Sequence, residues 1–255
     1  MISKSQIQFI KSLSISKFRK IHEMFIAEGP KVVNELANSS FKIEGIYALG
    51  DWINMNRFRF SKETSLTEIS EKELGRISTL KTPNQVVAVV HIAENIQQQS
   101  KSPDDLILML DDIRDPGNMG TIIRTADWFG IKQIICSNSC VDMYNPKVVQ
   151  ATMGSLFRVD VFYTDTKEYL EQLPKDKSVY GTLLEGENIY QVKLNKQGII
   201  IIGNESHGIS NELTPFITNK ITIPNYSIKP WDTAESLNAS TATAIVCAEF
   251  RRQSK

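Results

Sequence analysis

The chain has 255 residues, of which 41% are hydrophobic, and its 29 Lys and Arg residues balance 29 Asp and Glu residues. This composition suffices for one large globular domain or two smaller ones, and the zero net charge does not by itself indicate a polyanionic partner. No apolar run is long enough to cross a membrane, and three cysteines without paired spacing indicate neither a disulfide framework nor a zinc site. We therefore expect a cytoplasmic protein with no membrane contact and no bound metal.

Residues 1–97 predict a small α/β domain. Apolar residues around Phe25 predict a short strand, and Pro30 after a glycine is typical of the first turn of a helix. The patterns over residues 41–48 and 86–90 predict two more strands. Residues 70–73 read SEKE, a capping box that predicts a helix start. A polar segment at residues 98–105, which contains Pro103, is interpreted as a linker.

Residues 106–255 predict a second, more regular α/β domain. Strands are predicted at residues 106–110, 133–136, 157–162, 179–184, 198–202 and 220–223. Helices are predicted at residues 119–129, 146–153 and 167–173, after Ser210, and from about residue 236 to 252. Continuous apolar strands that alternate with helices are typical of a parallel sheet covered by helices.

Three blocks rich in glycine and polar residues begin at or just past predicted strands. They are residues 115–127 (DPGNMGTIIRTAD), residues 202–208 (IGNESHG), and residues 223–224 (IP) leading to 236–240 (SLNAS). Ligands of open α/β sheets bind at such strand ends. The first block lacks the Gly-x-Gly-x-x-Gly spacing of dinucleotide sites, and the chain has no Walker lysine pattern. A dinucleotide oxidoreductase is therefore disfavoured.

Together the three blocks resemble the motifs of the SpoU (TrmH-type) RNA 2′-O-ribose methyltransferases of the SPOUT superfamily. The resemblance implies a SPOUT α/β domain with a parallel sheet and a C-terminal trefoil knot, a topology that general connection rules would not predict. It implies a homodimer that uses S-adenosylmethionine to methylate a ribose 2′-hydroxyl in rRNA or tRNA. Residues 17–30 and 70–90 also resemble the L30e-like RNA substrate-binding domain attached to many of these enzymes.

The resemblance assigns site residues by position. The catalytic residues that it implies are Asn118, Arg124, Glu205, Ser236 and Asn238. The residues that it implies for cofactor binding are Ile202, Gly203, Asn204, Glu205, Gly208, Ile223, Ser236, Leu237 and Asn238. Asp115 departs from the family, because many members have asparagine there. His207 is not included among the catalytic residues, since the family does not hold that position fixed.

Arg124 lies off the apolar stripe of its predicted helix, which Ile122, Ala126 and Phe129 form. A guanidinium is a poor general base, because its pKa lies above about 12. We therefore expect Arg124 to position the ribose 2′-oxygen and stabilise the developing oxyanion, while the other catalytic residues orient the reacting groups.

Local basic clusters support contact with RNA phosphates. The candidate residues are Lys17, Arg19, Lys20, Arg57 and Arg59. The alternation of residues 57–60 (RFRF) predicts a half-buried strand with both phenylalanines inside and both arginines outside. One alternative function stays open, a non-catalytic RNA-binding or ribosome-associated factor, although the intact set of site residues argues against it.

Overall fold

The computed structural model describes residues 2–93, 106–227 and 234–254. The first part of the chain contains five helices and four strands among these residues. The helices are α1 (Lys4–Ser12), α2 (Ser16–His22), α3 (Pro30–Leu36), α4 (Gly50–Asn56) and α5 (Glu71–Ile77). The strands are β1 (Met24–Glu28), β2 (Ile43–Ala48), β3 (Leu66–Glu68) and β4 (Val86–His91). The predicted linker at residues 98–105 lies outside the described residues.

The second part of the described chain alternates strands and helices. Its strands are β5 (Leu106–Leu110), β6 (Gln133–Ser137), β7 (Asp160–Thr164), β8 (Val179–Asn188), β9 (Gly198–Ile202) and β10 (Asn219–Thr222). Its helices are α6 (Pro116–Trp128), α7 (Pro146–Thr152), α8 (Thr166–Glu171) and α9 (Ala239–Gln253). None of the helices in the described ranges is long and apolar enough to span a membrane.

Contacts divide the chain into two compact units. The first falls in the ranges Met1–Asn95 and Asp142–Arg158, and the second in Ile96–Val141 and Val159–Lys255. The segment around α7 groups with the first unit because Tyr144 packs on Phe25, with ring centroids 4.6 Å apart, and Asp142 pairs with Arg19. This grouping differs from the continuous boundaries expected from the sequence, and the division of labour between two domains stays a prediction.

The first unit is built on a sheet with the strand order β1-β4-β2-β3, in which only the β2–β3 pair is parallel. Its apolar core includes the fully buried Ile10, Leu13 and Ile77. The capping box is confirmed at α5, where Ser70 and Glu73 bond each other's backbone N–H groups. Hydrogen bonds, the strongest of them from the Ser70 backbone, lower the pKa of Glu73 to about 2.

The second unit is built on a parallel sheet with the strand order β10-β8-β9-β5-β6-β7. The apolar runs of β5 and β9 are buried along their whole length, so the prediction of a parallel α/β sheet is confirmed. The strand expected at residues 157–162 lies later, at β7, because Ser155–Phe157 form a 3-10 turn. Helix α9 begins at Ala239 because Asn238 caps its first turn, which leaves Ser236 and Leu237 outside the helix.

Candidate active site

A cleft in the second unit is lined by residues of β8, β9 and β10, by the loop after β9 and by the start of α9. Its volume is about 540 Å³, within the range of small-molecule sites, about 300–1,000 Å³. Eight of the nine residues predicted to bind the cofactor line it: Ile202, Gly203, Asn204, Glu205, Gly208, Ile223, Ser236 and Leu237. The ninth, Asn238, is not a lining residue, and it caps α9 directly after Leu237.

The floor of the cleft depends on a tight loop at the end of β9. Asn204 and Gly208 exchange two backbone hydrogen bonds of 3.0 and 2.8 Å, and Gly208 has a φ of +68°. A Cβ atom built on Gly203 would lie 2.3 Å from the backbone carbon of Gly208. Glycine is therefore required at position 203, because the two backbone segments are packed too closely for a side chain.

The Asn204 side chain folds this loop. Its Oδ1 accepts from the backbone N–H of Ser206 at 2.8 Å and of His207 at 3.3 Å. Its Nδ2 donates to the carbonyl oxygen of Asp112 at 2.8 Å. Asn204 therefore connects the loop to the end of β5. Glu205 is the next residue along the chain.

Asp111 and Asp112 hold both ends of the loop, a role that the sequence analysis missed. The buried carboxylate of Asp111 accepts from the backbone N–H of Ser210 at 2.7 Å, and the Asp112 carbonyl receives Asn204. Asp112 adopts a φ of 59° and donates its own N–H to Ser137 Oγ. The only sequence signal for this arrangement is an acidic pair placed directly after a buried strand.

Three of the five predicted catalytic side chains form a hydrogen-bonded chain. Asn238 Nδ2 donates to Asn118 Oδ1 at 2.9 Å, and Asn118 Nδ2 donates to Glu205 Oε1. The Asn118 backbone N–H is fixed by Asp115, which caps α6. Asn238 Oδ1 accepts from the backbone N–H and hydroxyl of Ser240, so its amide can turn only its NH₂ group toward Asn118.

The structure does not bring Arg124 into this chain. The residue lies six positions after Asn118 on α6, about 9 Å along the helix axis. It is exposed and makes no hydrogen bond or ion pair with any described residue. A guanidinium without an internal partner remains available for an external oxyanion. Ser236 and His207 line the cleft but are not part of the Asn238–Asn118–Glu205 chain.

The cysteines lie in the core of the second unit. Cys136, Cys140 and Cys247 are free and buried, and burial raises the pKa of Cys247 to about 12. The hydrogen bond with Cys136 lowers the pKa of Cys140, whose sulfur also accepts from the Ile113 backbone N–H at 3.3 Å. The described residues hold no group of three or more His, Cys, Asp or Glu side chains arranged to bind a metal ion.

Two expectations for the basic residues were wrong. Arg19 is 2% exposed, because its guanidinium binds Asp142 and the carbonyls of Leu13 and Ser14, so it is a structural residue that cannot contact RNA. Residues 57–59 form a 3-10 turn after α4 and not a strand, and Phe58 lies outside the core while Phe60 is buried. Lys17, Lys20, Arg57 and Arg59 are exposed as predicted.

The lining of the cleft fits S-adenosylmethionine, which carries a cationic sulfonium and both polar and apolar groups. Ile189, Leu237 and Val246 supply apolar contact area. Among the described residues, the lining includes the carboxylates of Glu185, Glu205 and Glu235 and one lysine, Lys220. A strand-end cleft of this kind in a parallel α/β unit is typical of proteins that bind small molecules or nucleotides.

Comparison with known proteins identifies the family. The SpoU rRNA methylase family matches residues 105–248, and the MRM3-like substrate-binding domain matches residues 4–88. A 23S rRNA (guanosine(2553)-2′-O)-methyltransferase of Bacillus subtilis is 28% identical over 96% of this chain and 99% of its own. The chain belongs to the SpoU rRNA methylase family, and it is an RNA methyltransferase that uses S-adenosylmethionine.

Two solved structures match both units. A TrmH-family RNA methyltransferase structure from Porphyromonas gingivalis is 35% identical, covers 99% of each chain and has a TM-score of 0.87. An S-adenosylmethionine-bound rRNA methyltransferase from Sinorhizobium meliloti is 27% identical, covers 99% of this chain and 97% of its own, and has a TM-score of 0.86. The resemblance to SpoU methyltransferases seen in the three sequence blocks is therefore confirmed.

Proposed function

We propose that the protein methylates the 2′-hydroxyl of one ribose in 23S rRNA. The Asn238–Asn118–Glu205 chain beside the cleft carries the proposal, because it fixes the position of a carboxylate and an amide where the methyl donor binds. The Bacillus subtilis relative that spans both units modifies a ribose of 23S rRNA, which favours rRNA over tRNA as the substrate.

S-Adenosylmethionine bound in the cleft supplies an electrophilic methyl group. The protein's own residues orient the ribose and stabilise the charge on its 2′-oxygen. Arg124, which pairs with no described residue, offers a cation for that oxygen or for the adjacent phosphate, and the hydrogen-bonded chain keeps Glu205 in one orientation at the cleft. Preorganised groups of this kind lower the barrier because they need no rearrangement during the reaction.

The active form in this proposal is a homodimer built on the second unit. The exposed face of α6 presents Gly117, Thr121, Arg124 and Trp128, residues that follow one another at helical spacing. Trp128 is 84% exposed, and tryptophan is enriched at protein interfaces. Contact of this face with a second copy would bring Arg124 against the partner subunit. The trefoil knot also stays a prediction.

The nucleotide is identified by mapping 2′-O-methyl groups in rRNA and tRNA from cells with and without the gene. We expect one 2′-O-methyl group to disappear from 23S rRNA and to return when the wild-type gene is restored. Loss of a tRNA methyl group with intact rRNA would contradict the choice of substrate. Restoration by an Arg124→Ala variant that transfers no methyl group as purified protein would favour an RNA-binding factor instead.

A further inference from the structure

An aromatic and basic surface lies on the first unit at the end of α4. We call it the Phe58 surface and define it as Met55, Arg57, Phe58, Arg59 and Lys62. Phe58 is 78% exposed and Met55 is 72% exposed. Phenylalanine is usually buried, so such an exposed ring calls for a physical explanation.

The local fold keeps the Phe58 ring outside the core. Phe60 is buried and packs on Trp52, with ring centroids 6.0 Å apart, which anchors the end of the 3-10 turn. The Phe60 backbone N–H donates to the Arg57 carbonyl at 3.2 Å and closes the turn. The core position is thus taken by Phe60, and Phe58 is presented to solvent on an ordered turn.

One cation lies over the exposed ring, and two more lie close by in the sequence. The guanidinium carbon of Arg59 lies 5.3 Å from the centroid of the Phe58 ring. The Arg57 guanidinium donates to the carbonyls of Lys62 and Thr64, both at 3.1 Å, so its position beside the turn is fixed. Between residues 55 and 64 there are three cationic side chains and one carboxylate, that of Glu63.

We propose that the Phe58 surface binds a single-stranded segment of the RNA substrate, with an unpaired base stacked on Phe58 and the flanking phosphates on Arg59 and Lys62. The proposal depends on the proposed function in one respect, that the bound polymer is RNA. Aromatic rings flanked by cations are the usual platform for unpaired bases, since every base offers a π face and every nucleotide a phosphate. Lys62 favours RNA over a protein partner, because lysine is depleted at protein–protein interfaces.

The test measures RNA binding by the full-length protein. The probes are a fluorescein-labelled single-stranded RNA 12-mer of mixed sequence and the same strand in a 12-base-pair duplex. The variants are Phe58→Ala and Phe58→Trp, with Ile21→Ala as the control, because Ile21 is an exposed apolar residue of the same unit outside the Phe58 surface. Circular dichroism and donor binding show that each variant is folded.

We expect Phe58→Ala to weaken binding of the single strand about tenfold, the size typical of one lost stacking contact, and to change duplex binding less than twofold. Phe58→Trp should keep the affinity and add tryptophan fluorescence that the single strand quenches beyond the quenching seen in the wild type. Ile21→Ala should bind like the wild type.

Three results would overturn the proposal: single-strand affinity of Phe58→Ala within twofold of the wild type, equal losses for single strand and duplex, or no binding of the single strand by the wild type. Methyl transfer to 23S rRNA is measured on the same samples. A wild type that binds the single strand through Phe58 but transfers no methyl group contradicts the proposed function alone. Normal methyl transfer by the wild type, together with unchanged single-strand affinity in Phe58→Ala, contradicts only the role of Phe58.

Discussion

At the scale of single residues, Asn238 has two separate tasks. Its Oδ1 caps α9 by accepting from the backbone of Ser240 and Thr241, and its Nδ2 donates to Asn118. Only the second task concerns the site chemistry. The two tasks can be separated by a substitution that keeps the oxygen and removes the donor.

Asn238→Asp should lower kcat about tenfold or more while donor affinity stays within threefold. Aspartate caps helices as well as asparagine does, but it places a second acceptor against Asn118 Oδ1 and a second negative charge near Glu205. The matched control is Asn145→Asp, because the Asn145 side chain caps α7 by accepting from the Lys147 backbone N–H. Unchanged kcat in Asn238→Asp would show that the hydrogen-bonded chain does not contribute to the reaction.

Arg124→Ala should lower methyl transfer at least a hundredfold and leave donor binding within a few-fold. The side chain is exposed and makes no hydrogen bond or ion pair with a described residue, so its removal should not alter the fold or the cleft. Arg76→Ala, which removes an exposed arginine in the last turn of α5, is the control. Tritium transfer and calorimetry measure the two quantities, and a variant that keeps most of its transfer rate would refute the assigned role.

At the scale of elements, the site depends on the loop after β9 being held from two sides. Asp111 and Asp112 hold its ends, and Gly203 allows the backbone of Gly208 to lie against it. These contacts are structural, yet they determine where Glu205 points. The loop therefore links the fold of the parallel sheet to the geometry of the cleft.

Gly203→Ala should weaken donor binding at least tenfold, because a new Cβ at 2.3 Å from the Gly208 backbone forces the loop to move. The control is Gly75→Ala, since a Cβ there meets nothing within 4 Å. Gly75 lies inside α5, and alanine should raise stability there by about 0.5–1 kcal/mol. Calorimetric donor affinity and thermal unfolding compare the two variants, and normal donor affinity in Gly203→Ala would show that the loop does not shape the donor site.

The elements were easier to predict from the sequence than the contacts between them. Strand β5 was predicted at its observed bounds, since an unbroken apolar run between polar segments is typical of a buried parallel strand. The hydrogen-bonded chain was not predictable as a contact, because Asn118 is 87 residues from Glu205 and 120 from Asn238 along the chain. Residue types indicated a site, but only the folded sheet shows which side chains meet.

Two errors have the same physical origin. The positive charge of Arg19 indicated RNA contact, but the charge is buried against Asp142, a partner 123 residues away. The alternation of residues 57–60 indicated a strand, but four residues are too few to distinguish a strand from a 3-10 turn. In both cases a packing contact, of Arg19 with Asp142 and of Phe60 with Trp52, decided the outcome over the sequence pattern.

At the scale of the whole molecule, the proposed homodimer predicts a mass about twice the 28.8 kDa of the chain in sedimentation at micromolar concentration. Trp128→Ala should shift the population toward monomer, because the interface would lose its exposed aromatic anchor. Tyr226→Ala removes another strongly exposed aromatic residue of the second unit and should leave the mass unchanged. A fully active wild-type monomer would contradict the dimer.

The most direct test of the central claim identifies the atom that receives the methyl group. Purified protein is incubated with methyl-labelled S-adenosylmethionine and 23S rRNA from cells lacking the gene, with Arg124→Ala in parallel. The RNA is then digested to nucleosides for chromatography and mass spectrometry. We predict label in a single 2′-O-methylated nucleoside with the wild type and at least a hundredfold less with the variant. Label on a base, or equal ribose labelling by both proteins, would contradict the account.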